Sequence, residues 1–252
     1  MKNVFKILIF SVLFVNLALA SQFEGLMKQG NDAYKNGNYQ NAITDYGKLV
    51  HEGYEGVSLY YNLGNAYYKE AKIGYAILYY EKALKLSPND DDIQHNLAIA
   101  NAKTIDKIDT LPEFFIFQIW ESLLSFFSVT GWTYLTYFFF ILILVSTGIY
   151  VFTKNSRVQR YSFFGGLVLL CLFILSVVIL AINVNRNLNV KNGIIITQTV
   201  SAKLSPDSKS NDAFVIHEGL KVRMEDKVDN WVKIRLNDGK VGWLPGNDIV
   251  QI

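Results

Sequence analysis

Asn31, Tyr34 and Lys35 recur as Asn65, Tyr68 and Lys69, each 34 residues later, and Lys103 repeats the lysine once more. Amide and ammonium donors set out in this way can hold the carboxylate or the backbone carbonyls of an extended peptide, the charged donors making the stronger contacts. Tyr61 adds a hydroxyl to the set. The same residues serve equally as a solvated lysine face whose asparagines pack helices together. Other chemistry-bearing residues are scattered. His51, His95 and His217 fall in different segments, and no two have metal-ligand spacing. Asp90–Asp92 lacks the alternating oxygen ligands and distal glutamate of a calcium loop, and reads as a helix cap. There is no glycine-rich phosphate loop, no G-x-S-x-G and no Cys/His pair. The single cysteine, Cys171, lies inside an apolar run and can form no internal disulfide. The expectation is a binding protein, not an enzyme, with no cofactor and no metal. A net charge of +2 gives no case for nucleic acid.

The elements that must position these residues share their period. Gly30/Gly64, Ala42/Ala76, Ile43/Ile77, Tyr46/Tyr80 and Lys48/Lys82 all fall in the same register. Small residues at Gly30, Gly64, Ala42 and Ala76 suit close helix crossings, and Tyr46 and Tyr80 would fill the space between layers. A 34-residue period of this kind is the signature of a tetratricopeptide repeat (TPR). Residues 57–90 resemble that family closely. Residues 23–56 do so with Gln29 and Leu49 in place of the usual leucine and alanine. The resemblance implies an all-α TPR solenoid over 21–110: repeats 23–56 and 57–90, then a capping helix 91–103. Pro88 ends the second repeat, because proline cannot continue a helix. The first helix of each repeat would line a concave groove carrying Asn31, Tyr34, Lys35, Tyr61, Asn65, Tyr68, Lys69 and Lys103. That groove resembles the carboxylate clamp of some TPR domains, with Met27 and Ile99 where further clamp lysines are expected.

Residues 1–20 read as a secretory signal: Lys2 and Lys6 open it, an apolar stretch follows, and Ala18-Leu19-Ala20 forms a cleavage site. An uncleaved anchor is the alternative. Two uncharged stretches follow, 132–152 and 161–182, each long enough to cross a hydrocarbon core of about 30 Å. The loop between them, 153–160, carries Lys154, Arg157 and Arg160 and no acid, which predicts a cytoplasmic loop. The result is a two-helix transmembrane hairpin with both long flanks outside. Ahead of it, residues 111–131 are rich in Phe, Leu and Trp, yet Gln118, Glu121, Ser122, Ser125 and Ser128 form one polar stripe. This predicts an amphipathic helix in the outer interface of the bilayer. A third span is the alternative.

Beyond a linker, 183–192, the composition shifts to short strands and turns. Strands are expected at 194–200, 214–216, 221–224, 231–236, 240–244 and 249–252, with Asn237-Asp238-Gly239 as a hairpin turn. "Ala202-Lys203-Leu204-Ser205-Pro206", "Trp231-Val232-Lys233-Ile234" and "Gly239-Lys240-Val241-Gly242-Trp243-Leu244" resemble a bacterial SH3-like domain. The resemblance implies a C-terminal all-β SH3-like barrel over 193–252 that binds peptides or cell-wall glycopeptide. Trp231 and Trp243 either line its ligand face or pack its core, since a barrel this small needs large aromatics.

The whole order of segments resembles the TPR-containing component of the Bacteroides aerotolerance operon, the BatE-type family. "Asp92-Ile93-Gln94-His95-Asn96-Leu97" and the run from Asp106 through Leu111-Pro112-Glu113-Phe114-Phe115 look like that family's junction. The resemblance implies a non-enzymatic scaffold in the bacterial inner (cytoplasmic) membrane, with the TPR and SH3-like domains facing the periplasm. Its implied partners are the lipid bilayer and other membrane proteins of the operon, which carry von Willebrand A-type domains, in envelope stress tolerance. The alternative is a cell-wall anchor that holds peptidoglycan and recruits envelope enzymes.

Overall fold

The computed structural model describes residues 23–107 and 114–252. The expected signal peptide and the start of the expected interfacial helix, 111–113, lie outside the described residues. The described residues form two compact units, one combining the repeats with the C-terminal sheet and the other holding the apolar helices.

In the first unit, helices α1 (residues 23–35), α2 (Tyr39–His51), α3 (Val57–Lys69), α4 (Ile73–Leu86) and α5 (Asp91–Ala102) follow one another. Glycine and tyrosine set the spacing within each pair. A Cβ on Gly30 would lie 2.5 Å from the Tyr46 ring, and one on Gly64 would lie 2.7 Å from the Tyr80 ring. Each ring therefore lies against bare backbone. Ala42, Ala66, Ala76, Ala83 and Ala100 are fully buried around it. The turn after α1 uses Gly37 in the left-handed region (φ 76°). Ala71 stands 34 residues later and takes the same region (φ 57°), which costs an L-residue about 1–2 kcal/mol. Asp90 caps α5, its side chain accepting from the Ile93 N–H at 3.2 Å, and Asp91 and Asp92 fill the first turn.

The C-terminal segment forms strands β1 (Lys191–Ile195), β2 (Thr199–Lys203), β3 (Asp212–His217), β4 (Lys221–Val228), β5 (Trp231–Arg235), β6 (Val241–Pro245) and β7 (Ile249–Gln251). They make one antiparallel sheet in the order β3-β2-β6-β5-β4-β1-β7. Two expectations change. The strand expected over 194–200 is two strands, because the chain turns at Thr197, whose hydroxyl donates to Asp248 Oδ1 at 2.6 Å. The expected closed barrel is an open sheet, with β3 and β7 as its edges. The turn at Gly239 (φ 91°) joins β5 and β6 as the sequence predicts.

The sheet stays open because its β1–β7 end is built into the helices. Ile194 and Ile195 are both fully buried, on opposite faces of β1. Ile195 belongs to the sheet's own core with Val222, Ile234 and Leu244. Ile194 belongs to the helical core, with Val250 and Ile252 packed beside it. Polar contacts ring this joint. The Gly74 N–H donates to Glu218 Oε2 at 3.0 Å, and Lys221 pairs with Glu81 at 2.7 Å. The His217 N–H donates to Asp106 Oδ2 at 2.6 Å, while the ring Nδ1 lies 3.0 Å from Oδ1 of the same carboxylate.

The second unit holds α6 (Phe115–Ser125), α7 (Val129–Phe152) and α8 (Ser156–Asn189). Helices α7 and α8 are long and apolar enough to cross a membrane. They pair through a hydroxyl bond between Thr136 and Ser176 (3.2 Å) and one from Ser146 Oγ to the Ser162 carbonyl (2.8 Å). Three boundaries differ from expectation. The interfacial helix expected to 131 stops at Ser125, and Ser128 instead caps α7 by accepting from the Gly131 N–H. The loop expected over 153–160 is three residues, since Asn155 caps α8 and puts Arg157 and Arg160 in its first turns. The linker expected over 183–192 is helical to Asn189. Several of its polar side chains find partners on the helix or on α6: Asn183 donates to the Ile179 and Leu124 carbonyls, Arg186 pairs with Glu121, and Asn189 donates to Asn185.

Two outcomes test this packing. Gly74→Leu should separate the sheet from the helices, because a Cβ there meets the Ile195 carbonyl oxygen at 2.8 Å. Overpacking of this sort costs about 1–3 kcal/mol, read as a lower unfolding midpoint of the full chain in detergent. Ala71→Gly should raise that midpoint, since glycine adopts positive φ without the steric cost.

Candidate peptide-binding groove

The repeated asparagines are held by the repeated tyrosines. Tyr46 donates its hydroxyl to Asn31 Oδ1 at 2.7 Å, and Tyr80 donates to Asn65 Oδ1 at 2.6 Å. A second donor reaches each oxygen from the next repeat: Asn62 Nδ2 to Asn31 Oδ1 (3.1 Å) and Asn96 Nδ2 to Asn65 Oδ1 (3.0 Å). Asn96 Nδ2 also donates to the Tyr61 hydroxyl at 2.9 Å. Both acceptor oxygens are therefore filled from within. The amide N–H groups of Asn31 and Asn65 donate to no described residue. Burial pushes the Tyr46 phenol up from its ordinary value of 10.0 to about 12, with Tyr34 adding to the shift. Burial raises Tyr80 in the same way, with its tyrosine neighbours contributing.

Tyr34, Tyr61, Asn65, Tyr68 and Lys69 line one cavity of about 300 Å³, together with Tyr80, Asn96 and Ile99. Asn31 lies outside the cavity lining, one layer earlier, where it accepts from Asn62. Lys103 sits at its end, its Nζ 4.4 Å from the centre of the Tyr68 ring, a cation–π contact. Lys35 is exposed and lies outside the cavity lining. Among the described residues Lys35, Lys69 and Lys103 have no carboxylate partner. The cavity thus offers the amide N–H of Asn65 and the ammonium of Lys69. The Asn65 oxygen is already occupied, so these donors suit a ligand with carbonyl or carboxylate oxygens.

Asn96 and Tyr80 were not among the expected lining residues, nor was the supporting role of Asn62 behind Asn31. Their signal was present: Asn62 and Asn96 are 34 apart, as are Asn31 and Asn65. Their role needed the layer-to-layer bond. The same bond makes Asn65 the acceptor for two part-buried donors, so it serves the helix packing as well as the groove.

On the sheet, Trp231 and Trp243 are half-buried and share one face. Trp231 pairs with Pro245 and Lys233 pairs with Trp243, whereas the alternate residues Val232, Ile234 and Leu244 are buried. The indoles therefore lie on the face opposite the sheet's core.

Residues 27–91 match the family model for the tetratricopeptide repeat. No curated protein matches the chain. The chain contains tetratricopeptide repeats, and these suggest a protein–protein interaction role.

Asn65→Leu should leave the Tyr80 hydroxyl and Asn96 amide without their acceptor. An unsatisfied buried donor costs about 1–3 kcal/mol, measurable as a lower unfolding midpoint. Alkaline pH should act on the same ladder. The folded Tyr46 phenol titrates above its unfolded value, so the stability it supplies is complete below pH 10.0 and is lost as pH rises toward about 12. Thermal melts across that window should show the loss, and Tyr46→Phe should make it shallower.

Proposed function

We propose that the chain is a non-enzymatic scaffold, anchored in the bacterial inner membrane by the hairpin α7–α8. The repeats and the sheet face the periplasm, where the groove captures an extended segment of another membrane protein. The observation that carries this reading is the donors on the groove wall: the amide N–H of Asn65, whose oxygen is already filled, with Lys69 beside it and Lys103 over the Tyr68 ring, neither lysine having a carboxylate partner among the described residues. Such a wall complements a peptide backbone with acidic groups. The BatE-type resemblance supplies the partner class, membrane proteins with von Willebrand A-type domains acting in envelope stress tolerance. It also gives the C-terminal sheet its reading as an SH3-like module.

Co-purification from detergent tests this. Lys69→Glu with Lys103→Glu should lose the partner, whereas Lys227→Glu on the sheet should not. Each lost charged contact is worth about 1.5–3 kcal/mol, roughly tenfold to 150-fold in affinity. Added salt should weaken the wild-type complex as well, because the lysines are solvent-exposed. Equal recovery of the partner by the folded double variant would move the binding site elsewhere.

A second reading is supported by the shared outward face of Trp231 and Trp243, whose indoles could stack on the sugars of cell-wall glycopeptide. Retention on purified sacculi that is lost in Trp231→Ala with Trp243→Ala would favour it.

A further inference from the structure

Helix α6 is eleven residues long, about 16 Å, too short to cross a bilayer. It also carries a broad apolar face. Phe115, Ile116, Phe117, Ile119, Trp120 and Leu123 are consecutive or nearly so, and all are exposed. An exposed apolar face of this extent is unfavourable against water.

The opposite, polar face is largely engaged within the protein. Glu121 is held by Arg186 of α8 through two bonds, 2.6 and 2.8 Å. Ser122 and Ser125 donate to the carbonyls of Gln118 and Glu121 within α6. Among the polar side chains of α6, Gln118 has no hydrogen-bond partner among the described residues. The end of the helix is satisfied in the same way. The Leu124 carbonyl accepts from Trp132 Nε1 of α7 at 3.2 Å and from Asn183 Nδ2 of α8 at 3.1 Å. In water a helix end takes such bonds from solvent. Internal donors from both neighbouring helices are needed where solvent is scarce.

We infer that α6 is a lipid-binding element: its exposed aromatic surface lies at the headgroup–acyl boundary of the leaflet that receives the open end of the hairpin. The surface is continuous with the apolar exterior of α7 and α8, and the inference rests on the membrane reading of those helices. The Glu121–Arg186 pair and the Leu124 cluster pin α6 to the hairpin by its last two turns. Its first turns remain free to enter lipid. Since α6 carries no lysine or arginine, apolar area drives insertion, and anionic lipid is not required.

The test uses the full chain with Cys171→Ser and one new cysteine, Phe117→Cys or independently Phe115→Cys. The cysteine carries an environment-sensitive fluorophore, and the chain is reconstituted into phosphatidylcholine vesicles. Blue-shifted emission is expected, with loss of quenching by iodide present on both sides. Lipid nitroxides near the headgroup should quench more than nitroxides near the chain end. Iodide access at both positions would overturn the inference. So would protection from iodide and lipid nitroxides alike, which would mean a protein contact. A label at Ile141→Cys, exposed on α7, separates the two levels of argument. If Ile141 is quenched by deep nitroxides while Phe117 lies in water, the inference about α6 fails alone. If both lie in water, the membrane reading fails with it.

Discussion

The contact on which the repeats depend is a tyrosine laid over a glycine, with its hydroxyl given to an asparagine. The Tyr46 ring occupies the space that a Cβ on Gly30 would need, and its hydroxyl then reaches Asn31. Tyr80 does the same over Gly64 to Asn65. The glycine brings the helices close, the ring fills the gap, and the phenol saturates the asparagine oxygen. That last step turns packing into a binding property. An asparagine with its oxygen occupied presents only N–H groups, so each layer leaves donors on the groove.

The second constraint is the double burial on β1. Adjacent strand residues point to opposite faces, so Ile194 and Ile195 cannot both enter one core. Ile195 closes the sheet's core while Ile194 enters the helical one. A free-standing barrel would leave Ile194 in solvent, whereas docking on α4 buries it and leaves the sheet open. The side chains around the joint, Glu81, Glu218, Asp106 and His217, then find partners across it. The repeats and the sheet consequently behave as one body. The face of the sheet carrying Trp231 and Trp243 is the one turned away from its core.

In the apolar helices, polar residues have a different task. Thr136, Ser146 and Ser176 bond between the two long helices, and Trp132 and Asn183 converge on a single carbonyl of α6. Each satisfies a group that an apolar solvent would leave unpaired. The same bonds hold the end of α6 to α8, where α8 continues through residues that read as a linker.

The helical repeats were legible in the sequence because their cause is local and periodic. Glycine, alanine and tyrosine recur every 34 residues because every layer has the same geometry to satisfy. The two apolar helices were legible for a similar reason, since length and the absence of charge are read along one segment. The hairpin at Gly239 needed only its turn residues. What stayed hidden depends on residues distant in sequence. Asn96 acts on Asn65, Ile194 enters a core formed by the distant helical repeats, and Arg186 holds Glu121. Periodicity predicts which residues share a face, but it carries no information about which distant face completes a core or fills a particular lone pair. Tertiary packing decided that the barrel would be a docked open sheet, that the linker would be helix, and that the asparagines would serve the fold and the groove together.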